Sequence, residues 1–175
     1  GMKATREELQ RWDRDVVWHA FTQMAEYEPF VIERAEGCVL VDIEGHQYID
    51  GVSSLWCNIH GHRQAKIDAA IREQLGRVAH STMFGLSNVP AIQLARRMTE
   101  LAYPNLCATY FTSGGAESNE SAFKTARFYW KIKGKPDKVK IISRQLAYHG
   151  VTMAAMSATA VPGYDRMFGP RVPNF

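Results

Sequence analysis

Apolar residues recur every three to four positions in several stretches of this chain, and every second position in one other. The first period predicts amphipathic helices, the second a half-buried strand. Thr5 to Tyr27 reads as a helix, or a helix plus an extended arm, with Thr5 and Glu8 spaced as a capping box. Cys38 to Ile43 and His46 to Asp50 alternate around Glu44-Gly45, which predicts a β-hairpin. Gln64 to Val78 is amphipathic through Ile67, Ile71, Leu75 and Val78 and ends near Gly76. Asn88, with Pro90 just inside, opens a helix through Leu94, Met98 and Leu101 that stops before Pro104.

The second half repeats a strand-then-helix rhythm. Leu106 to Phe111 is a short β-prone run; Thr112-Ser-Gly-Gly115 breaks it; Ala122, Phe123 and Ala126 mark one face of a helix running to about Lys133. After a turn at Gly134-Lys-Pro136, Val139 to Ile142 reads as a buried strand, followed by the Tyr148-His-Gly150 loop and a small-residue helix over Val151 to Ala160. That order predicts an α/β fold, a parallel sheet with right-handed crossovers, whose strand ends carry the binding loops. Residues 113–116 and 148–150 are then expected on one rim.

A strand that turns through small residues into a helix leaves backbone N–H groups unpaired where the helix dipole is positive, a place for a phosphate or carboxylate. Gly114 and Gly115 allow positive φ and close approach of a ligand, and Ser113 and Thr112 offer hydroxyls. Taken alone, the same residues also suit an ordinary helix cap. A Walker loop is excluded, since no Gly-Lys-Ser/Thr follows, and neither the three-glycine dinucleotide fingerprint nor a Gly-x-Ser-x-Gly elbow is present.

Composition narrows the picture little. The 175 residues suffice for a sizeable core, and 46% hydrophobic with 22% charged residues is globular. The net charge of +3 is spread out, and the basic run from Lys131 to Lys140 reads as a solvated helix end, so no nucleic-acid partner is expected. Cys38, Cys57 and Cys107 are unclustered, which suggests reduced thiols, two of them buried, in a cytoplasmic protein. No leader or membrane span is read, and Gly1 ahead of Met2 is set aside as an added residue. His60 and His62 lack a third ligand, so ordinary hydrogen bonding is preferred to a metal.

With these pieces in order, the chain resembles the class III (ω-) aminotransferases of the pyridoxal-phosphate fold type I superfamily. The matching stretches are Glu36-Gly-Cys38, Tyr48-Ile-Asp-Gly51, Ser53-Ser-Leu-Trp-Cys57, Gly61-His62, Phe111-Thr-Ser-Gly-Gly-Ala-Glu-Ser-Asn-Glu120, Ala126-Arg127 and Tyr148-His-Gly150. The resemblance implies that Ser113, Gly114, Gly115 and Ala116 hold the phosphate of pyridoxal phosphate. Tyr148 would stack on its ring beside His149, and Trp56, Phe21 and Phe84 would line the substrate pocket. One departure is that Gly114-Gly-Ala-Glu117 stands where the family often has Ser-Gly-Ser-Glu, so a hydroxyl for the phosphate is lost.

The resemblance also implies an arm and hairpin over residues 1–62 and the first part of a cofactor domain over 63–175. The Schiff-base lysine is expected beyond Phe175, because no lysine from Lys3 to Lys140 has a matching context. These residues alone are therefore expected to be inactive, as part of a homodimeric enzyme. The implied reaction moves an amino group from an ω-amino acid or amine to a keto acid such as pyruvate. Two rivals stand beside it: the diaminopelargonate-forming enzyme of biotin synthesis with adenosylmethionine as donor, and a non-catalytic module that keeps the fold.

Overall fold

The computed structural model describes residues 4–175, so the readings of Gly1 and Lys3 lie outside the described residues. The chain divides into two compact units, one up to Leu86 and one from Ser87 onward.

In the first unit, helix α1 (Arg6–Val16) starts at the expected capping box: Thr5 Oγ1 accepts from the Glu8 N–H and the Glu8 carboxylate accepts from the Thr5 N–H. The extended alternative holds beyond it. Asp13 accepts from the Tyr27 hydroxyl at 2.7 Å and hydrogen-bonds His19 at 2.9 Å, folding the arm back onto the helix. The sheet has three antiparallel strands in order β1 (Ile32–Glu36), β2 (Val39–Asp42) and β3 (Gln47–Ile49). The hairpin of β2 and β3 matches the alternation. Strand β1 is an addition, mostly polar and exposed, with no apolar period to announce it.

Asp42 ends β2 buried and fixes the hairpin turn, accepting from the Glu44 and His46 N–H groups (both 2.9 Å) and the Tyr48 hydroxyl (2.9 Å). Burial pushes its carboxyl up, but those donors outweigh it and bring the pKa down to about 2. A one-turn segment α2 (Ser53–Trp56) and helix α3 (Ala65–Leu75) complete the unit.

In the second unit, Asn88 caps α4 (Val89–Leu101) by accepting from the Ala91 N–H, as predicted. Helix α5 (Gly115–Ile132) is followed by α6 (Met153–Ala158) and α7 (Tyr164–Phe168). Residues 106–111 and 139–142 carry no regular secondary structure, and among the described residues neither forms a ladder. A strand exists through its neighbour's hydrogen bonds, and here Ile141 N–H finds only the Asn174 carbonyl, at 2.8 Å. The parallel sheet of the expectation is thus not paired in this structure.

The core is smaller than the length suggested. Its buried apolar members are Val41 and Ile43 in the first unit and Ala155, Met156 and Ala158 in the second. Helices α3, α4 and α5 contain no buried residue; α5 meets α6 and sets Phe123 edge-on to Phe175, but this cover leaves its residues no more than half-buried. The same openness corrects the cysteine expectation: Cys38, Cys57 and Cys107 are all free and all exposed.

Candidate functional site

The turn at residues 112–116 keeps the first turn of α5 open. No side chain caps that helix start. The Thr112 hydroxyl does not face outward as expected; it donates to the Gly114 carbonyl at 3.1 Å and also meets Ser118 Oγ. Ser113 gives its N–H to the Glu117 carboxylate at 2.9 Å, which leaves its exposed hydroxyl as the outward donor. Neither glycine uses positive φ, a second correction: Gly114 is fully extended (φ −173°) and Gly115 starts the helix. Their contribution is space, since a Cβ on either would meet nothing within 4 Å. Bare N–H groups, a dipole end and open access make this a fit for an anion.

The Tyr148-His-Gly150 loop is brought against that turn. Gly150 (φ +134°) packs so closely on Ala116 that a Cβ would lie 2.5 Å from the Ala116 Cβ. Only glycine serves there. Three further contacts tie the loop down. Asn119 Nδ2 donates to the His149 carbonyl at 2.7 Å, the His149 N–H donates to buried Thr159 Oγ1 at 2.9 Å, and Ala160 N–H donates to the Ala147 carbonyl at 2.9 Å. Tyr148 stays half exposed, its ring available to a flat ligand.

Glu120 completes the join between α5 and α6. One of its oxygens accepts from the Thr152 hydroxyl (2.6 Å) and from the Ala154 and Ala155 N–H groups (2.9 and 3.1 Å). Burial raises its carboxyl, and these donors prevail, so its pKa falls below the ordinary value. Asn119, Glu120 and Thr159 were not nominated from sequence. Asn119 and Glu120 sit three and four residues after Ala116, one helical turn on, which is the signal that could have found them.

The three proposed pocket residues Phe21, Trp56 and Phe84 all belong to the first unit, and all are strongly exposed. Among the described residues none makes a ring contact. Phe21 has a single left-handed φ of 53°, whereas Trp56 ends a run of four such residues. Ser53, Ser54, Leu55 and Trp56 have φ of 52°, 47°, 63° and 68°, a left-handed turn made without glycine. Such backbone costs about 1–2 kcal/mol per residue, and the loop compensates it by hydrogen bonding. The Asp50 carboxylate accepts from the Ser54 N–H and Oγ (both 2.8 Å) and pairs with His62 Nε2 at 2.7 Å. Those donors, the Ser54 N–H foremost, hold the Asp50 carboxyl below its ordinary range. His62 also pairs its backbone with Gly37, and a Cβ on Gly61 (φ +83°) would lie 3.1 Å from the Gly37 carbonyl oxygen. His62 is therefore a hydrogen-bonded histidine. Among the described residues no cluster of three metal-ligating groups occurs, and no helix is long and apolar enough to cross a membrane.

This geometry has close relatives. The family described as aminotransferase class-III matches residues 22–175. The (S)-enantioselective omega-transaminase of Thermomicrobium roseum superposes with a TM-score of 0.93 at 46% identity, over 99% of this chain and 40% of that one. The adenosylmethionine-8-amino-7-oxononanoate aminotransferase of Methanocaldococcus jannaschii gives 0.89 at 38% identity, over 94% and 38%. Among curated proteins, the enzyme of that same name from Aquifex aeolicus is 46% identical over 87% of this chain and 34% of its own length. The β-alanine–pyruvate aminotransferase of Pseudomonas aeruginosa is 35% identical over 87% and 34%. The chain thus spans about a third of the length of these curated relatives.

Proposed function

Because this chain belongs to the class III aminotransferase family, whose cofactor is pyridoxal phosphate and whose architecture is fold type I, we propose that the whole protein is a transaminase. It moves an amino group from an ω-amino acid or amine to a keto acid such as pyruvate. The observation that carries the reading is the uncapped start of α5, open above Gly114 and Gly115, with the Tyr148 loop packed on Ala116.

In this reading Ser113, Gly114, Gly115 and Ala116 hold the cofactor phosphate. The Ser113 hydroxyl and backbone N–H groups replace the hydroxyl that Ala116 lacks. Tyr148 lies flat on the pyridine ring and, with His149, orients it. Trp56, Phe21 and Phe84 bound the donor's tail. When bound, pyridoxal phosphate supplies the electron sink for removing the proton α to the amine. The lysine that exchanges with substrate belongs, in this proposal, to residues of the whole protein outside these 175. A homodimer in the cytoplasm completes the reading.

The test is the absorption spectrum of the whole protein with pyridoxal phosphate, before and after borohydride. A visible band fixed covalently by reduction supports the assignment; its absence removes it. A second reading, adenosylmethionine-8-amino-7-oxononanoate aminotransferase, is supported by curated relatives of that name at 41% and 46% identity. Turnover of β-alanine, taurine or simple amines with pyruvate favours the first reading. Turnover of adenosylmethionine alone favours the second.

A further inference from the structure

Four consecutive L-residues in left-handed backbone persist only where their surroundings over-determine them. Here the surroundings are a single clamp. The Asp50 side chain is 4% exposed and gathers the Ser54 N–H, the Ser54 hydroxyl and His62 Nε2, while the Asp50 carbonyl accepts from the Ser53 N–H at 3.3 Å. Its own N–H donates to the Cys38 carbonyl at 2.9 Å, anchoring the clamp to the sheet. The turn then closes through Trp56 N–H to the Val52 carbonyl and Cys57 N–H to the Ser53 carbonyl, at 2.8 and 3.0 Å.

Trp56 has no such support of its own. The residue is 74% exposed and, among the described residues, its indole stacks on no ring. The direction in which the Trp56 side chain leaves the chain is therefore a property of the backbone beneath it. A right-handed turn over the same residues would swing the Cβ of Trp56 elsewhere.

We infer that Asp50 and His62 are positioning residues: their pair holds residues 53–56 left-handed, and that turn sets where Trp56 stands and which donor tails the substrate site admits. The specificity half rests on the proposed role of Trp56 as pocket wall; the clamp itself does not.

The test uses the whole protein, as wild type and as Asp50→Ala, Asp50→Asn, His62→Gln and Trp56→Ala, with 5-fluorotryptophan incorporated. The Trp56 fluorine resonance is assigned by its loss in Trp56→Ala. In Asp50→Ala it is expected to move toward the free amino acid's shift, and in His62→Gln to move part of the way. The ratio of kcat/KM for 1-phenylethylamine to that for β-alanine is expected to change about tenfold, through KM and in the same direction as in Trp56→Ala. A merely structural loss would lower both donors alike.

An unmoved resonance in folded Asp50→Ala or Asp50→Asn overturns the inference. So does a moved resonance with an unchanged ratio, provided Trp56→Ala changes that ratio. If Trp56→Ala leaves the ratio unchanged, the pocket-wall reading fails instead and the resonance alone decides the clamp. Should Asp50→Ala not fold, the same two readouts in Asp50→Asn and His62→Gln, which preserve volume, decide between these outcomes.

Discussion

Two turns of this molecule face outward with opposite construction. Residues 53–56 carry a strained backbone and a dense clamp, and they present a side chain, Trp56. Residues 112–116 carry relaxed backbone and an uncapped helix start, and they present bare N–H groups. The contrast is physical. Aiming a large ring requires fixing the chain beneath it against its own preferences, so partners must be recruited from elsewhere. Offering backbone donors requires the reverse, since any side chain that satisfied them would occupy the place meant for a ligand.

The largest expected effect comes from crowding the relaxed turn from outside. Gly150→Ala places a methyl into Ala116 at positive φ, and should cost roughly 3 kcal/mol in thermal or urea unfolding. Cofactor affinity should fall with it, by loss of the contact between the two loops. Full stability in Gly150→Ala would mean that the loops do not meet as described.

Next is the capping carboxylate behind that turn. Glu120→Ala leaves the Thr152 hydroxyl and the Ala154 and Ala155 N–H groups without their acceptor, a loss of about 1 kcal/mol by the same measurement. Glu120→Gln, which keeps one acceptor oxygen, should recover most of it.

A reciprocal pair sharpens the comparison at smaller amplitude. Leu55→Gly relieves left-handed strain and should stabilise by about 0.5 kcal/mol, net of the entropy glycine adds to the unfolded chain. Gly115→Ala should likewise stabilise α5 by about 0.5 kcal/mol, yet weaken pyridoxal phosphate binding by filling the approach above the turn. Thermal melts with and without cofactor separate the two effects. Were Gly115→Ala to bind as tightly as wild type, the open space would have no ligand role.

The last effect is confined to acid pH. The Asp42 carboxyl falls from 3.8 to about 2 on folding, so its contribution is complete above the unfolded value and is lost as pH drops from about 4 toward 2. Asp42→Asn should flatten that part of the acid-unfolding curve and leave neutral pH behaviour of the sheet's hydrogen bonds weakened but pH-independent.

What could be read from the sequence was local. Thr5 with Glu8 and Asn88 with Ala91 act within three residues, and the Ser-Gly-Gly turn announces itself by composition. The clamps act across the chain, 12 residues from Asp50 to His62 and 32 from Glu120 to Thr152, and no period reports them. Glycine was a misleading guide to strain. Gly114 and Gly115 are relaxed, while the left-handed backbone falls on leucine and tryptophan, which local propensity would place there last. Residues 106–111 and 139–142 have strand-like sequences, but pairing is decided by a neighbour, and sequence within the segment says nothing of whether one is present.

The exposed thiols have a practical consequence. Cys57 directly follows the left-handed turn and Cys107 lies five residues before Thr112, so each outward-facing element comes with a native attachment point. With exposed Cys38 replaced, maleimide dyes or nitroxides would report on both, provided a reducing agent is present until labelling, because unprotected surface sulfur invites adventitious cross-linking between molecules.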